Sequence, residues 1–114
     1  MAFHEPHTVT DVVDLGLDTV IQNTSGKFIL VYGSLELKLL SAGDASYVDI
    51  FTDASNPPTT LAQSVGWRSL NTDVDQQLYL PFSFIVQPNH YYLLTSNTSG
   101  SATIGLYTMF EYTE

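Results

Sequence analysis

Cysteine is absent from the 114 residues. That excludes disulfide staples, thiol chemistry and cysteine-ligated zinc, and it leaves the redox compartment open. Cations are nearly as scarce. Lys and Arg number 3 against 12 Asp and Glu, for a formal charge of −9. Three cations cannot neutralise a run of phosphates, so a nucleic-acid groove is excluded. Polybasic docking to an anionic membrane is excluded for the same reason. No apolar run is longer than about four residues, far short of the ~20 that a spanning helix needs. The N-terminus MAFHEPHTVTDV has no basic segment followed by an apolar stretch, so no secretory leader and a soluble chain are expected. Helix formers such as Lys, Glu and Ala are sparse, and no segment carries a clean helical period.

Thr, Val, Ile, Tyr and Phe are plentiful instead, which favours strands. The clearest strand is Lys27 to Leu40. Ile29, Val31, Leu35, Leu37 and Leu39 fall on one face with Gly33 among them, and Phe28, Leu30 and Tyr32 begin the other. Ala45–Thr52 places Val48 and Ile50 together. Gln77–Val86 places Leu78, Leu80, Phe82, Phe84 and Val86 together. Pro81 cannot donate to a ladder, so that strand is expected at an edge or broken there. His90–Thr95 and Ala102–Tyr112 follow, the latter with Ala102, Ile104, Leu106 and Phe110 on one face. Weaker strands are read at Val9–Leu17, Asp18–Gln22 and Leu61–Trp67. Asn23–Gly26, Ser41–Asp44, Gln87–His90 and Asn97–Gly100 are turn sequences, and Asp53–Thr60 is a longer loop. The expected fold is all-β: a single antiparallel sandwich or jelly-roll-like domain of seven or eight strands. It should occupy residues 19–114, after an extended N-terminal arm at 1–18.

Motifs for chemistry are weak, so no enzyme activity, metal or cofactor is expected. His4 and His7 form an H-x-x-H pair with nothing positioned to complete a zinc site. Asn71, Asp73 and Asp75 start like a calcium loop. Gln76 and Phe82 then stand where that loop needs Gly and Glu. Both N-T-S-G segments also match glycosylation acceptors, a coincidence in a chain without a leader. Sugar binding would need exposed aromatics. Trp67 is the single Trp, and Tyr79, Tyr91, Tyr92, Tyr107 and Tyr112 are further candidates, with Trp67, Tyr91 and Tyr92 singled out.

Apolar residues on both faces of Lys27–Tyr32 and Gln77–Val86 exceed what a two-sheet core buries. Leu30, Tyr32, Phe51, Tyr79 and Ile85 are therefore expected on a monomer's surface, as contacts of a cyclic homotrimer.

Two segments carry a resemblance. They are Val20-Ile-Gln-Asn-Thr-Ser-Gly-Lys-Phe-Ile-Leu-Val31 and Phe82-Ser-Phe-Ile-Val-Gln-Pro-Asn-His-Tyr-Tyr92 with its continuation to Ile104. Together they resemble the small β-sandwich modules of tailed-bacteriophage virions, found at tail-fibre tips and as capsid cement proteins. In these modules a strand ends in Q-N-T-[ST]-G-[KR], and an F-x-V-P-x-G-x-x-Y phrase precedes the last hairpin. Asn89 and His90 stand where the family often has Gly. Tyr107 and Tyr112, with Glu111, stand where a Trp-x-Glu ending is common. The resemblance covers about a third of the chain, and it implies a non-enzymatic virion protein. Such a protein is made in the host cytoplasm and partnered by the major capsid protein on the capsid surface. A chain opening at its own Met favours the cement protein over a fibre tip that binds a receptor glycan. Phe3, Val9, Val12, Val13 and Leu15 would then anchor the arm on the shell.

Overall fold

The computed structural model describes residues 8–69 and 76–114. Eight strands run β1 (Thr8–Asp11), β2 (Ile21–Gln22), β3 (Ile29–Leu39), β4 (Ala45–Asp53), β5 (Leu61–Arg68), β6 (Gln76–Val86), β7 (Tyr91–Ser99) and β8 (Thr103–Thr113). They form two antiparallel four-stranded sheets. Sheet A has the order β1-β8-β3-β6 and sheet B the order β2-β7-β4-β5. β4 therefore pairs β5, β3 pairs β6, β2 pairs β7 and β1 pairs β8. That nesting is one long hairpin wrapped into two layers, the jelly roll.

The alternating pattern decides which faces meet. Ile29, Val31, Leu35 and Leu37 from β3 are buried in one core with Val48 and Ile50 from β4, Phe82, Phe84 and Val86 line the same core, and Leu39 is buried as well. Tyr92 and Leu94 of β7 complete it. The Tyr92 ring meets Phe84 edge-on at 5.5 Å. Pro81 lies on β6, an edge strand that pairs only with β3, and the ladder continues past it from Gln76 to Val86. Its missing N–H costs the ladder nothing there.

Three expectations are corrected. The N-terminal arm does not extend to residue 18. Thr8–Asp11 adds a strand to β8, and the Val12 amide bonds the Met109 carbonyl at 2.9 Å. Val12 is buried in the core, so it cannot anchor a shell contact, and Val13 packs half-buried against the core. Asp18 is fixed as well: its amide bonds the Leu94 carbonyl, and its carboxylate accepts from Ser96.

The second correction concerns Phe110, which does not share a face with Ile104 and Leu106. A register shift between Ser34 and Leu35 leaves Tyr107 as an extra residue on β8. One extra residue inverts the alternation, so Met109 turns inward and Phe110 outward. Gly33 permits this. A Cβ there would sit 2.0 Å from the Thr108 carbonyl oxygen, because the bulged backbone occupies that space. Finally, Asn97–Ser99 remain in β7, and the reversal falls at Gly100, where φ is +67°.

Candidate functional site

Each end of the sandwich is closed by one buried polar side chain. At one end Asn23, from the Q-N-T-S-G-K segment, donates to the carbonyls of Lys27 (2.7 Å), Gln87 (3.0 Å) and Val86 (3.2 Å). Its Oδ1 accepts from the Ser25 amide and hydroxyl. Its backbone bonds His90 and Asn89 in the β6–β7 turn, where Asn89 takes φ +65°. The side chain is fully committed, so Asn23 is a structural hub and not a glycan acceptor. At the other end Asp44 accepts from the amides of Leu40, Ser41 and Ser101. A Cβ on Gly100 would lie 2.0 Å from Asp44 Oδ1, so glycine there leaves room for the carboxylate.

The two sheets are also bridged inside. The Tyr92 hydroxyl donates to Glu111 Oε2 at 2.5 Å, from β7 of sheet B to β8 of sheet A. Burial, reinforced by that carboxylate, pushes the Tyr92 hydroxyl above its ordinary value, so it stays a donor. Tyr92 is fully buried and cannot stack on a sugar. Trp67 is 55 % exposed, but it pairs with Ser46 whereas Tyr91 pairs with Asp53. Seven residues of β4 separate them, about 23 Å. The aromatics read as one glycan patch are therefore not brought together.

The residues read as oligomer contacts divide. Leu30, Tyr32, Tyr79 and Ile85 all lie on the outer face of sheet A, whereas Phe51 lies on the outer face of sheet B beside Leu61 and Leu93. The register makes one end of sheet A's outer face continuous. Val9, Tyr112, Leu30 and Ile85 form a cross-strand row through β1, β8, β3 and β6. Phe110 and Tyr32 follow in the next row, with ring centroids 5.5 Å apart. Val9 is 48 % and Ile85 43 % exposed. Phe110, Tyr112 and Val9 were missed as members, because the bulge and the β1 pairing that bring them there are not visible in any one segment.

Six residues along β3, about 20 Å away, the same face changes character. Glu36, Lys38, Gln77 and Thr103 surround Tyr79 and Tyr107. Tyr79 therefore belongs to a different neighbourhood from Leu30 and Ile85.

No cluster of three His, Asp or Glu able to hold a metal occurs among the described residues. No helix among them is long and apolar enough to cross a membrane. Phe3, His4, His7, Asn71, Asp73 and Asp75 lie outside the described residues. No protein-family model, curated protein or solved structure matches the chain.

Proposed function

We propose that this chain is a non-enzymatic structural protein of a tailed-phage virion, a capsid cement protein that binds the assembled head as a homotrimer. The observation that carries the reading is the apolar end of sheet A's outer face. Val9, Leu30, Tyr32, Ile85, Phe110 and Tyr112 form one patch across four strands. Contiguous apolar surface of this kind marks a contact with protein. A copy of the same chain is the partner we assign, and in a ring of three the patch meets a different surface of the next copy.

The role needs no chemistry. A protein that binds only the assembled shell stabilises it by mass action. Three copies held together turn weak contacts with the major capsid protein into avidity. Leu15, 45 % exposed on the turn after β1, remains on the surface for such a contact. The charge of −9 keeps free trimers apart until they reach the shell. The phage assignment rests on the two resembling segments. The jelly roll is compatible with it, since viral capsid and lectin domains share that architecture, but a fold alone does not fix a function.

The test uses heads purified without the protein. Labelled chain added to them should bind saturably at a fixed number of sites and raise the temperature at which the genome is released. Heads that take up none of it, and lose genome at an unchanged temperature, contradict the reading.

A further inference from the structure

We propose that the ring of three closes corner to corner: the β1 corner of sheet A's outer face, led by Val9, enters a groove around the β6 edge of the next copy. The inference rests on the trimer reading and names the two surfaces that meet.

Ring closure restricts the choice. Successive copies in a ring of three differ by a third of a turn, so the two contacting surfaces of one copy are different and inclined to each other. The outer faces of sheets A and B look in opposite directions, and joining one to the other builds an open stack. The two corners of a single outer face both lean towards the same side, so they can meet around a central axis. The exposed apolar residues sit at those corners. In the row Val9–Tyr112–Leu30–Ile85, Val9 on β1 and Ile85 on β6 are exposed, whereas Tyr112 and Leu30 between them are half-buried.

The β6 corner is shaped to receive a side chain. Tyr32, Gly33, Gln63, Pro81, Phe82 and Ser83 line a groove of about 470 Å³ along that edge. Gly33 contributes no side chain to it and Ser83 only a short one. Pro81 has no N–H to offer an added strand. Insertion of a side chain, rather than extension of the ladder, is therefore the contact that this edge allows.

Charge favours the same pair of surfaces. The chain carries −9, yet Gln76–Val86 contains no charged residue and Thr8–Asp11 contains only Asp11. The β1 corner can therefore approach the next copy's β6 edge without setting acid against acid. Asp11 belongs to the row Asp11–Phe110–Tyr32–Ser83. At the far end of that row β6 presents the Ser83 hydroxyl, a donor that a neighbouring carboxylate can accept from.

The test uses introduced thiols, which the cysteine-free chain reports without interference. Within one copy Val9 and Ser83 lie on opposite edge strands of sheet A, three strand spacings or roughly 14 Å apart. That is beyond the ~7 Å between Cα atoms that a disulfide spans. In Val9→Cys/Ser83→Cys a disulfide must therefore join two copies. Oxidation of this double variant should give a covalent species of three copies on a non-reducing gel, and either single variant should stay uncoupled. Ser83→Trp fills the groove and should weaken association by about tenfold or more, whereas Thr103→Trp at the Asp44 end should leave it unchanged. Both positions are exposed, and circular dichroism checks that the variants fold. If the native chain scatters as three copies, a double variant without covalent trimer overturns this pairing and leaves the trimer standing. A Ser83→Trp chain that associates like the native one does the same, and so does self-coupling of a single variant, which marks a two-fold contact. A native chain that scatters as one copy overturns the trimer reading and this inference with it.

Discussion

The two ends of sheet A's outer face share β8, β3 and β6, yet they present opposite surfaces. Near Asn23 the rows read Val9–Tyr112–Leu30–Ile85, apolar across all four strands, and Phe110–Tyr32, flanked by Asp11 and Ser83. Near Asp44 they read Tyr79–Glu36–Gly105 and Gln77–Lys38–Thr103, aromatic and polar around a gap. The β3–β6 ladder is regular throughout, so on those strands side-chain choice divides the face, whereas on β8 the bulge at Tyr107 turns Phe110 and Tyr112 outward. A uniform apolar face would invite continued stacking of copies, whereas a face that turns polar halfway limits the contact.

Each end depends on its own buried hub, which gives the sharpest way to break the comparison. Asn23→Ala strips the donor from three carbonyls, and Asp44→Ala strips the acceptor from three amides. Either should cost about 2–3 kcal/mol, since buried partners are left unsatisfied. Chemical denaturation measures the loss. Hydrogen exchange locates it: Asn23→Ala should loosen the β6–β7 turn, and Asp44→Ala the β3–β4 and β7–β8 turns. Equal loosening of both ends by either variant would mean that the ends are not separate units.

A smaller effect comes from acid. The Thr59 amide, with the Ser55 amide and the Thr60 hydroxyl and amide, holds the Asp53 carboxyl well below the usual carboxylate range. Asp53 pairs with Tyr91 on β7, so this loop belongs to the Asn23 end. A carboxyl lowered by folding contributes its full stability above its unfolded value near ~4, and that contribution is lost as pH falls through the folded value. Acid titration should therefore release the amides of Ser55, Thr59 and Thr60 at the very bottom of the range. In Asp53→Asn that acid step should disappear from the amide titration curves.

Much of the fold was readable because β3 and β6 keep an apolar residue or Gly33 at every second position, a set whose side chains are buried from Ile29 to Leu39 and from Phe82 to Val86 and partly buried at Leu78 and Leu80. Pro81 marked an edge, and the Asn-Thr-Ser-Gly turn places Gly26 at φ +75°. What could not be read depends on non-local events. The bulge at Tyr107 is set by pairing with β3, and it sent Phe110 to the opposite face. Thr8–Asp11 is polar and short, so only its pairing with β8 identifies it as a strand and draws Val12 inward. The acceptor for Tyr92 is nineteen residues away, on the other sheet. For the site, the outward facing of Leu30, Tyr32, Tyr79 and Ile85 followed from alternation, although Leu30 and Tyr32 are half-buried rather than exposed. Their separation into two neighbourhoods required the register, and so did the placing of Phe51 on the other sheet.

The central claim is that the apolar end is where copies of this chain meet. Light scattering at micromolar concentration tests it most directly, on the native chain and on Leu30→Asp/Ile85→Lys. The native chain should give about three times the 12.6 kDa of one copy, and the double variant one copy with its fold intact. A native chain that scatters as a single copy contradicts the account, and so does a double variant that remains assembled.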